Sequence, residues 1–149
     1  MTEASATRSL IDALRRARLD PHRVENACEL GTPDINFAIG WIEAKYSNGY
    51  TAQGVLRVQH DVTPQQQVWL DLRWRHGGLT FVVWRVDRIG WWLIPGGSIR
   101  ELYRGVLTAG RLVGLAHWYV TADALVVGML ERYAPTWRAV PIGIVRDNS

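Results

Sequence analysis

Residues 31–45 read Gly-Thr-Pro-Asp-Ile-Asn-Phe-Ala-Ile-Gly-Trp-Ile-Glu-Ala-Lys, two short strand-like runs joined at Ile39-Gly40, and no other stretch restricts the fold as much. Side chains alternate along a strand, so Glu43 and Lys45 share one face while Ile42, Ala44 and Tyr46 turn toward a core on the other. If residues 34–39 pair back on residues 41–46, Asp34 reaches the polar face. Two acids and the chain's single lysine then converge at one place.

Those residue types suit a particular chemistry. Mg²⁺ takes hard oxygen ligands in near-octahedral geometry and keeps several waters, so the carboxylates of Asp34 and Glu43, the carbonyl of Ala44 and a phosphate oxygen form a suitable shell. Lys45 stands where it can orient or deprotonate an attacking water and balance charge on the phosphate undergoing hydrolysis. Two acids held close without a cation repel and raise each other's pKa, and a bound metal reverses that penalty.

Pro33-Asp34, eight intervening residues and Glu43-Ala44-Lys45 resemble the PD-(D/E)xK nuclease signature. Thr63-Pro64-Gln65-Gln66, followed by Trp69-Leu70 and Gly77-Gly78, is similar to the helix after the active-site strands in the virus-type replication-repair nuclease (VRR-NUC) branch. Arg23-Val24-Glu25-Asn26 ahead of Gly31-Thr32-Pro33-Asp34 resembles small nuclease-like proteins of tailed phages. The resemblance covers residues 8–95. It implies an α/β fold with a restriction-endonuclease-like core, a mixed sheet of four to five strands flanked by helices. It also implies Mg²⁺- or Mn²⁺-dependent cleavage of DNA, branched or duplex, and a homodimer of the junction-resolving kind.

In many members of that superfamily an acid on the first helix supplies a third carboxylate. Here that helix offers only Asp12, with Glu3 before it, so Glu25 on a strand beside Asp34 is the third candidate; the alternative for Glu25 is an ion pair with Arg23 or another arginine. Gln66 resembles the glutamine that projects from the following helix toward the metal and its waters. Its other reading is a capping box with Thr63, and one amide is not expected to do both. Gln65 and Gln67 are the substitutes.

A chain of 149 residues, 48% hydrophobic and 21% charged, suits one globular domain with a genuine core, the nuclease core at residues 8–95 and a helical extension at 96–149. One cysteine, Cys28, excludes an intramolecular disulfide framework, and the absence of a charged-then-apolar N-terminal segment points to the cytoplasm, that of the host if the chain is phage-encoded. The apolar stretch at 105–130 is interrupted by Arg111, His117 and Asp123, which argues against a membrane span and leaves the core or a second subunit to bury it. The net charge of +3 is carried by arginine, whose planar fork suits phosphate; surface solubility is the plainer reading. Eight tryptophans invite a base-stacking role, but packing is commoner, so Trp69, Trp74, Trp84, Trp91 and Trp92 are assigned to the core and Trp41 is the candidate for contact. The four histidines do not combine with Cys28 at zinc-ligand spacing, and no GxxxxGK loop is present.

The remaining pattern predicts a helix over 5–19, a strand over 22–27 and a polar loop over 47–61 with a brief strand at 55–58. A helix follows over 63–77, with Thr63 as N-cap and Pro64 at its first position. Strands are expected over 79–87 and 90–94, a short helix capped by Ser98, a helix from Thr121 to about 133, and a last strand over 137–145. The function expected is metal-dependent DNA cleavage by Asp34, Glu43, Lys45, Gln66 and Glu25, with Asp34, Glu43, Ala44 and Glu25 around the metal. A non-cleaving nucleic-acid-binding module and a structural or interaction protein are the alternatives.

Overall fold

Thr2 opens the fold by accepting the Ser5 amide while its own amide donates to Ser5 Oγ, so α1 runs Glu3–Arg16 and starts earlier than its apolar periodicity alone suggests. Ala6, Leu10, Ala13 and Leu14 recur at helical spacing and are buried. The helix ends before the expected Leu19. Arg18 takes a φ of +60°, the Leu19 amide reaches back 3.0 Å to the Leu14 carbonyl, and Leu19 turns inward.

The computed structural model describes residues 2–25, 30–116 and 118–120, together with Gly128, Leu130, Arg132 and Tyr133. Its sheet has six strands in sequence order: β1 (His22–Arg23), β2 (Ile35–Asn36), β3 (Trp41–Ser47), β4 (Thr80–Val86), β5 (Gly90–Pro95) and β6 (Trp118–Val120). The first three form the expected antiparallel meander, though β1 and β2 are each two residues long. β3 and β4 are parallel, and α2 (Pro64–Arg75) crosses between them; β5 and β6 continue antiparallel. The sixth strand exceeds the expected four to five and comes from the segment assigned to a helical extension.

Two cores cover the two faces of this sheet. On one, Leu10 and Leu14 of α1 pack with Ile35, Ile42, Ala44, Phe81, Val83, Trp91 and Leu93. On the other, Leu70 of α2 packs with Val82, Trp84, Trp92 and Ile94, and with Ile99 and Leu102 of α3 (Ile99–Leu102) and Leu112 of α4 (Ala109–Leu115). A strand buried on both faces explains why 81–84 reads as a continuous apolar run. Trp84, Trp91 and Trp92 are core as expected, whereas Trp69 and Trp74 are half-buried.

Part of the apolar stretch beyond residue 105 is used here, while Val106 and Val113 are exposed. Leu107, Leu112 and Ala116 join the second core, Leu115 packs against it, and Leu130 joins the first. Ser98 does not cap α3: a 3₁₀ turn (Gly96–Ser98) leads directly into it, with Ser98 in helical conformation. The strand expected at 55–58 is reduced to isolated bridges, Tyr50 to Leu56 and Val55 to Thr108. The expectations for residues 26–29, 121–127 and 137–145 lie outside the described residues. Among the described residues no helix is long and apolar enough to cross a membrane.

Gly96 is where β5 meets α2 and β4. A Cβ there would collide with Thr80 Oγ1, the hydroxyl that donates a 2.7 Å bond to the Leu70 carbonyl, and would press on that carbonyl as well. Gly96→Ala is therefore expected to destabilise the fold by about 2–3 kcal/mol and lower Tm by about 5–10 °C, measurable by thermal denaturation. An unchanged Tm would show that Thr80 swings aside without loss.

Candidate active site

Register builds this site. Ile35 pairs with Ile42 and Asn36 with Trp41, so one step further along the same antiparallel ladder Asp34 stands across from Glu43. The pairing is made through side chains: the Asp34 amide donates to Glu43 Oε2 at 3.2 Å and the Ala44 amide donates to Asp34 Oδ2 at 3.3 Å. The chain reversal at residues 37–40, where Phe37 and Gly40 exchange backbone bonds, holds this geometry. Gly40 packs so closely on the Leu79 carbonyl that a Cβ has no room there. N–H and C=O of one strand residue point to the same side, so the Ala44 carbonyl also faces the Asp34 edge.

Glu43 and Lys45 share the face of β3 beneath α2, as alternation requires. That face is not a solvated one: the side chains of Glu43 and Lys45 are 1% and 7% exposed. Lys45 Nζ lies 2.9 Å from Glu43 Oε1, and Gln66 Nε2 donates to the same oxygen at 2.7 Å. Gln66 Oε1 meanwhile accepts the Thr63 amide at 2.9 Å, and Thr63 Oγ1 accepts the Gln66 amide. The two readings of Gln66 are thus not exclusive. The carbonyl end of the amide closes the capping box and its NH₂ end, on the far side of the same plane, reaches the carboxylate.

The electrostatics fit an acid pair awaiting a cation. Burial, and then the neighbouring Asp34 carboxylate, push Glu43 up to about 7, against the pull of Lys45. Asp34 is also raised, chiefly by burial, while Lys45, the Ala44 amide and Arg23 oppose the rise and Glu3 adds to it. Hard carboxylate oxygens, an adjacent carbonyl and a repulsion between acids that Lys45 only partly offsets are a donor set that fits a divalent metal such as Mg²⁺.

Glu25 is not brought into this set. It sits exposed beyond β1, and among the described residues no three His, Cys, Asp or Glu side chains form a group able to hold a metal. The strand that was to aim it ends at Arg23, so alternation no longer governs its direction. The acid that bears on Asp34 is instead Glu3, on the first turn of α1, where it pairs with His60 at 2.6 Å. The Thr2–Ser5 capping box was the signal that would have brought Glu3 into the helix. Asp12 lies two turns further along α1 and pairs with Arg15.

The polar loop after β3 is anchored rather than loose. Leu56 donates to the Leu107 carbonyl, and the Tyr103 hydroxyl donates to Asp61 and accepts the Val62 amide, tying the loop to α3 and the segment after it. Trp41, at the start of β3, meets Trp69 of α2 edge-on at 5.3 Å, and Arg73 lies over the Trp69 ring at 4.9 Å.

Among solved structures the chain is similar to the Holliday junction resolvase Hjc of the archaeal hyperthermophile Archaeoglobus fulgidus, with a TM-score of 0.56 and 18% identity over 84% of this chain and 99% of that one. The fold is restriction-endonuclease-like, α/β with a mixed sheet between helices. No family model matches the chain, and no curated protein matches it in sequence.

Proposed function

We propose that the protein is a metal-dependent DNA endonuclease, selective for branched DNA such as a four-way junction. The observation that carries this reading is the convergence of Asp34, Glu43, Lys45 and Gln66 from two strands and a helix onto one carboxylate cluster. The likeness in fold to a junction resolvase supports it. Gln66, reaching Glu43 from α2, is the feature that favours the virus-type branch, and a role in phage DNA metabolism belongs to the same reading.

Asp34, Glu43 and the Ala44 carbonyl would hold Mg²⁺ or Mn²⁺, and Glu3 is the further acid whose charge bears on Asp34. Such a metal, when bound, polarises the phosphate and lowers the pKa of the attacking water. Gln66 fixes Glu43 Oε1 and so the direction of that carboxylate. Lys45 Nζ holds its protons against the same oxygen, placed to orient a water or to meet charge developing on a phosphate oxygen. Arginines, among them Arg23, whose charge bears on Asp34, would hold the DNA backbone without reading sequence.

The test is cleavage of end-labelled linear, nicked, flapped and four-way DNAs. Mg²⁺ or Mn²⁺ is expected to support cutting, with the four-way substrate preferred. Ca²⁺, which prefers longer bonds and more ligands, is expected to permit binding without cutting. Cleavage that persists in excess EDTA would remove the metal from the mechanism, and binding without cleavage in any metal would leave a non-cleaving DNA-binding module.

A further inference from the structure

We propose that the cavity between the first turn of α1 and the end of β3 binds a single guanine base presented at the branch point of the DNA, which deepens the junction-cleaving reading and rests on it. The cavity measures about 260 Å³ and is lined by Glu3, Tyr46, Ser47, Asn48, Arg57 and Gln59. That is just under the roughly 300 Å³ at which pockets for drug-sized ligands begin, and it suits one nucleobase. Its walls are tied together. The Thr2–Ser5 capping box fixes the first turn of α1, while Ser47 Oγ donates to the Gly49 carbonyl at 2.9 Å and accepts the Gly49 amide at 3.1 Å, shaping the turn that carries Asn48. The Arg57 amide also donates to the Gly49 carbonyl, at 2.9 Å, at the base of a hairpin closed by the Tyr50–Leu56 bridge. His60, 2.6 Å from Glu3, joins the following stretch of the loop to α1.

The polar groups that these walls leave unused select the occupant. The Arg57 guanidinium and the side-chain amides of Asn48 and Gln59 make no hydrogen bond or ion pair among the described residues, and Glu3 meets His60 through Oε2, which leaves Oε1 as an acceptor. A phosphate would meet one arginine and the Glu3 carboxylate together, and its charge would be repelled by the latter. Among the described residues no three metal-ligating side chains gather to hold a cation. A neutral base carries neither penalty. Guanine presents adjacent donors, N1–H and N2–H₂, to the Glu3 carboxylate, and the acceptors O6 and N7 to the fork of Arg57. The other three bases of DNA lack that pair of adjacent donors. The Tyr46 ring, its hydroxyl hydrogen-bonded to Asp87, supplies a face for stacking. Placement agrees with this occupant. Tyr46 follows Lys45 directly on β3 and the charge of Glu3 bears on Asp34, so a base held here lies beside the carboxylate cluster. Extruding a base costs least where pairing and stacking are already interrupted, so such a cavity favours branched DNA over an intact duplex. Arg57 would then read a base, in contrast to the arginines that hold the backbone.

Four-way junctions carrying guanine, adenine, cytosine or thymine at each position flanking the branch point test the proposal, by gel shift in Ca²⁺ and by cleavage in Mg²⁺. At one of those positions the wild type is expected to bind guanine about tenfold tighter than the other bases. There, 7-deazaguanine, which lacks the N7 acceptor, and inosine, which lacks the N2 amino group, should each lose most of that preference. Arg57→Ala should cease to distinguish guanine from 7-deazaguanine while still distinguishing it from inosine, and Glu3→Gln should do the reverse. Circular dichroism confirms that each variant is folded. Equal binding of all four bases at every position by the wild type, or an Arg57→Ala variant weakened equally on all junctions as a backbone contact would be, would overturn the proposal. The two assays separate it from the nuclease reading. Cleavage with no base preference sinks the pocket and spares the nuclease, whereas guanine-selective binding without cleavage in any metal sustains the pocket and sinks the nuclease.

Discussion

Asp34→Asn, Glu43→Gln and Lys45→Ala are each expected to lower single-turnover cleavage on the order of 10³-fold while leaving DNA affinity within a few-fold of wild type. The separation follows from where the groups sit. On the proposed reading, affinity for DNA would come from many phosphate contacts spread over the surface, and the chain carries its positive charge almost wholly as arginine outside this cluster. The proposed chemistry would depend on one partly buried group of four side chains, and the two acids are near-isosteric with their amides. Losses should not add: once one ligand is gone the others act on a site that no longer holds its metal, so the Asp34→Asn, Glu43→Gln double variant is expected to be little worse than either single one. Gel shift in Ca²⁺, circular dichroism and cleavage in Mg²⁺ on the same preparations provide the check. Near wild-type turnover in any one variant would remove that residue from the proposed mechanism.

Much of this site was legible because strand geometry is arithmetic. Alternation puts Glu43 and Lys45 on one face, and the short reversal at Ile39-Gly40 fixes Asp34 across from Glu43, so both relations follow from sequence spacing. The capping box at Thr63 was equally readable, since it depends only on residues three apart. What failed were inferences that needed strand length or burial. Aiming Glu25 into the site requires a strand that continues past it, but β1 ends at Arg23, among the described residues only the Val24 amide pairs further with the Asp34 carbonyl, and Glu25 is exposed. Glu3 was left out because the start of α1 was judged from apolar spacing, whereas Thr2 and Ser5, neither of them apolar, decide it.

The dual role of Gln66 could not be read because it is a property of distance between elements. Whether the NH₂ end of a capping amide meets anything depends on how closely α2 lies over β3, and that is set by Leu70, Val82 and Trp84 in the second core. The exposure of Val68 and Leu72 on α2 is hidden for a related reason, since only the assembled fold shows which apolar residues of a helix remain outside.

In the absence of metal, unfolding free energy is expected to fall by on the order of 3 kcal/mol between pH 4.5 and about 7, and Glu43→Gln is expected to flatten most of that slope. The direction follows from proton counting. Glu43 ionises near 4.5 in the unfolded chain but is held up to about 7 in the fold by burial and by Asp34. Between those values the folded state binds more protons than the unfolded one, so raising pH draws the equilibrium toward unfolding until Glu43 is ionised in both. Asp34 is raised in the same sense, so its ionisation adds to the loss. Saturating Mg²⁺ should reverse the trend across neutrality, because the cation binds the ionised carboxylates and its affinity therefore grows as their protons leave. Chemical denaturation from pH 5 to 8, in EDTA and in Mg²⁺, measures both slopes. A metal-free protein whose stability rises with pH through this window, or a slope that survives in Glu43→Gln, would mean that the buried pair is relieved by something other than a proton, and the argument for a cation at this site would lose its electrostatic basis.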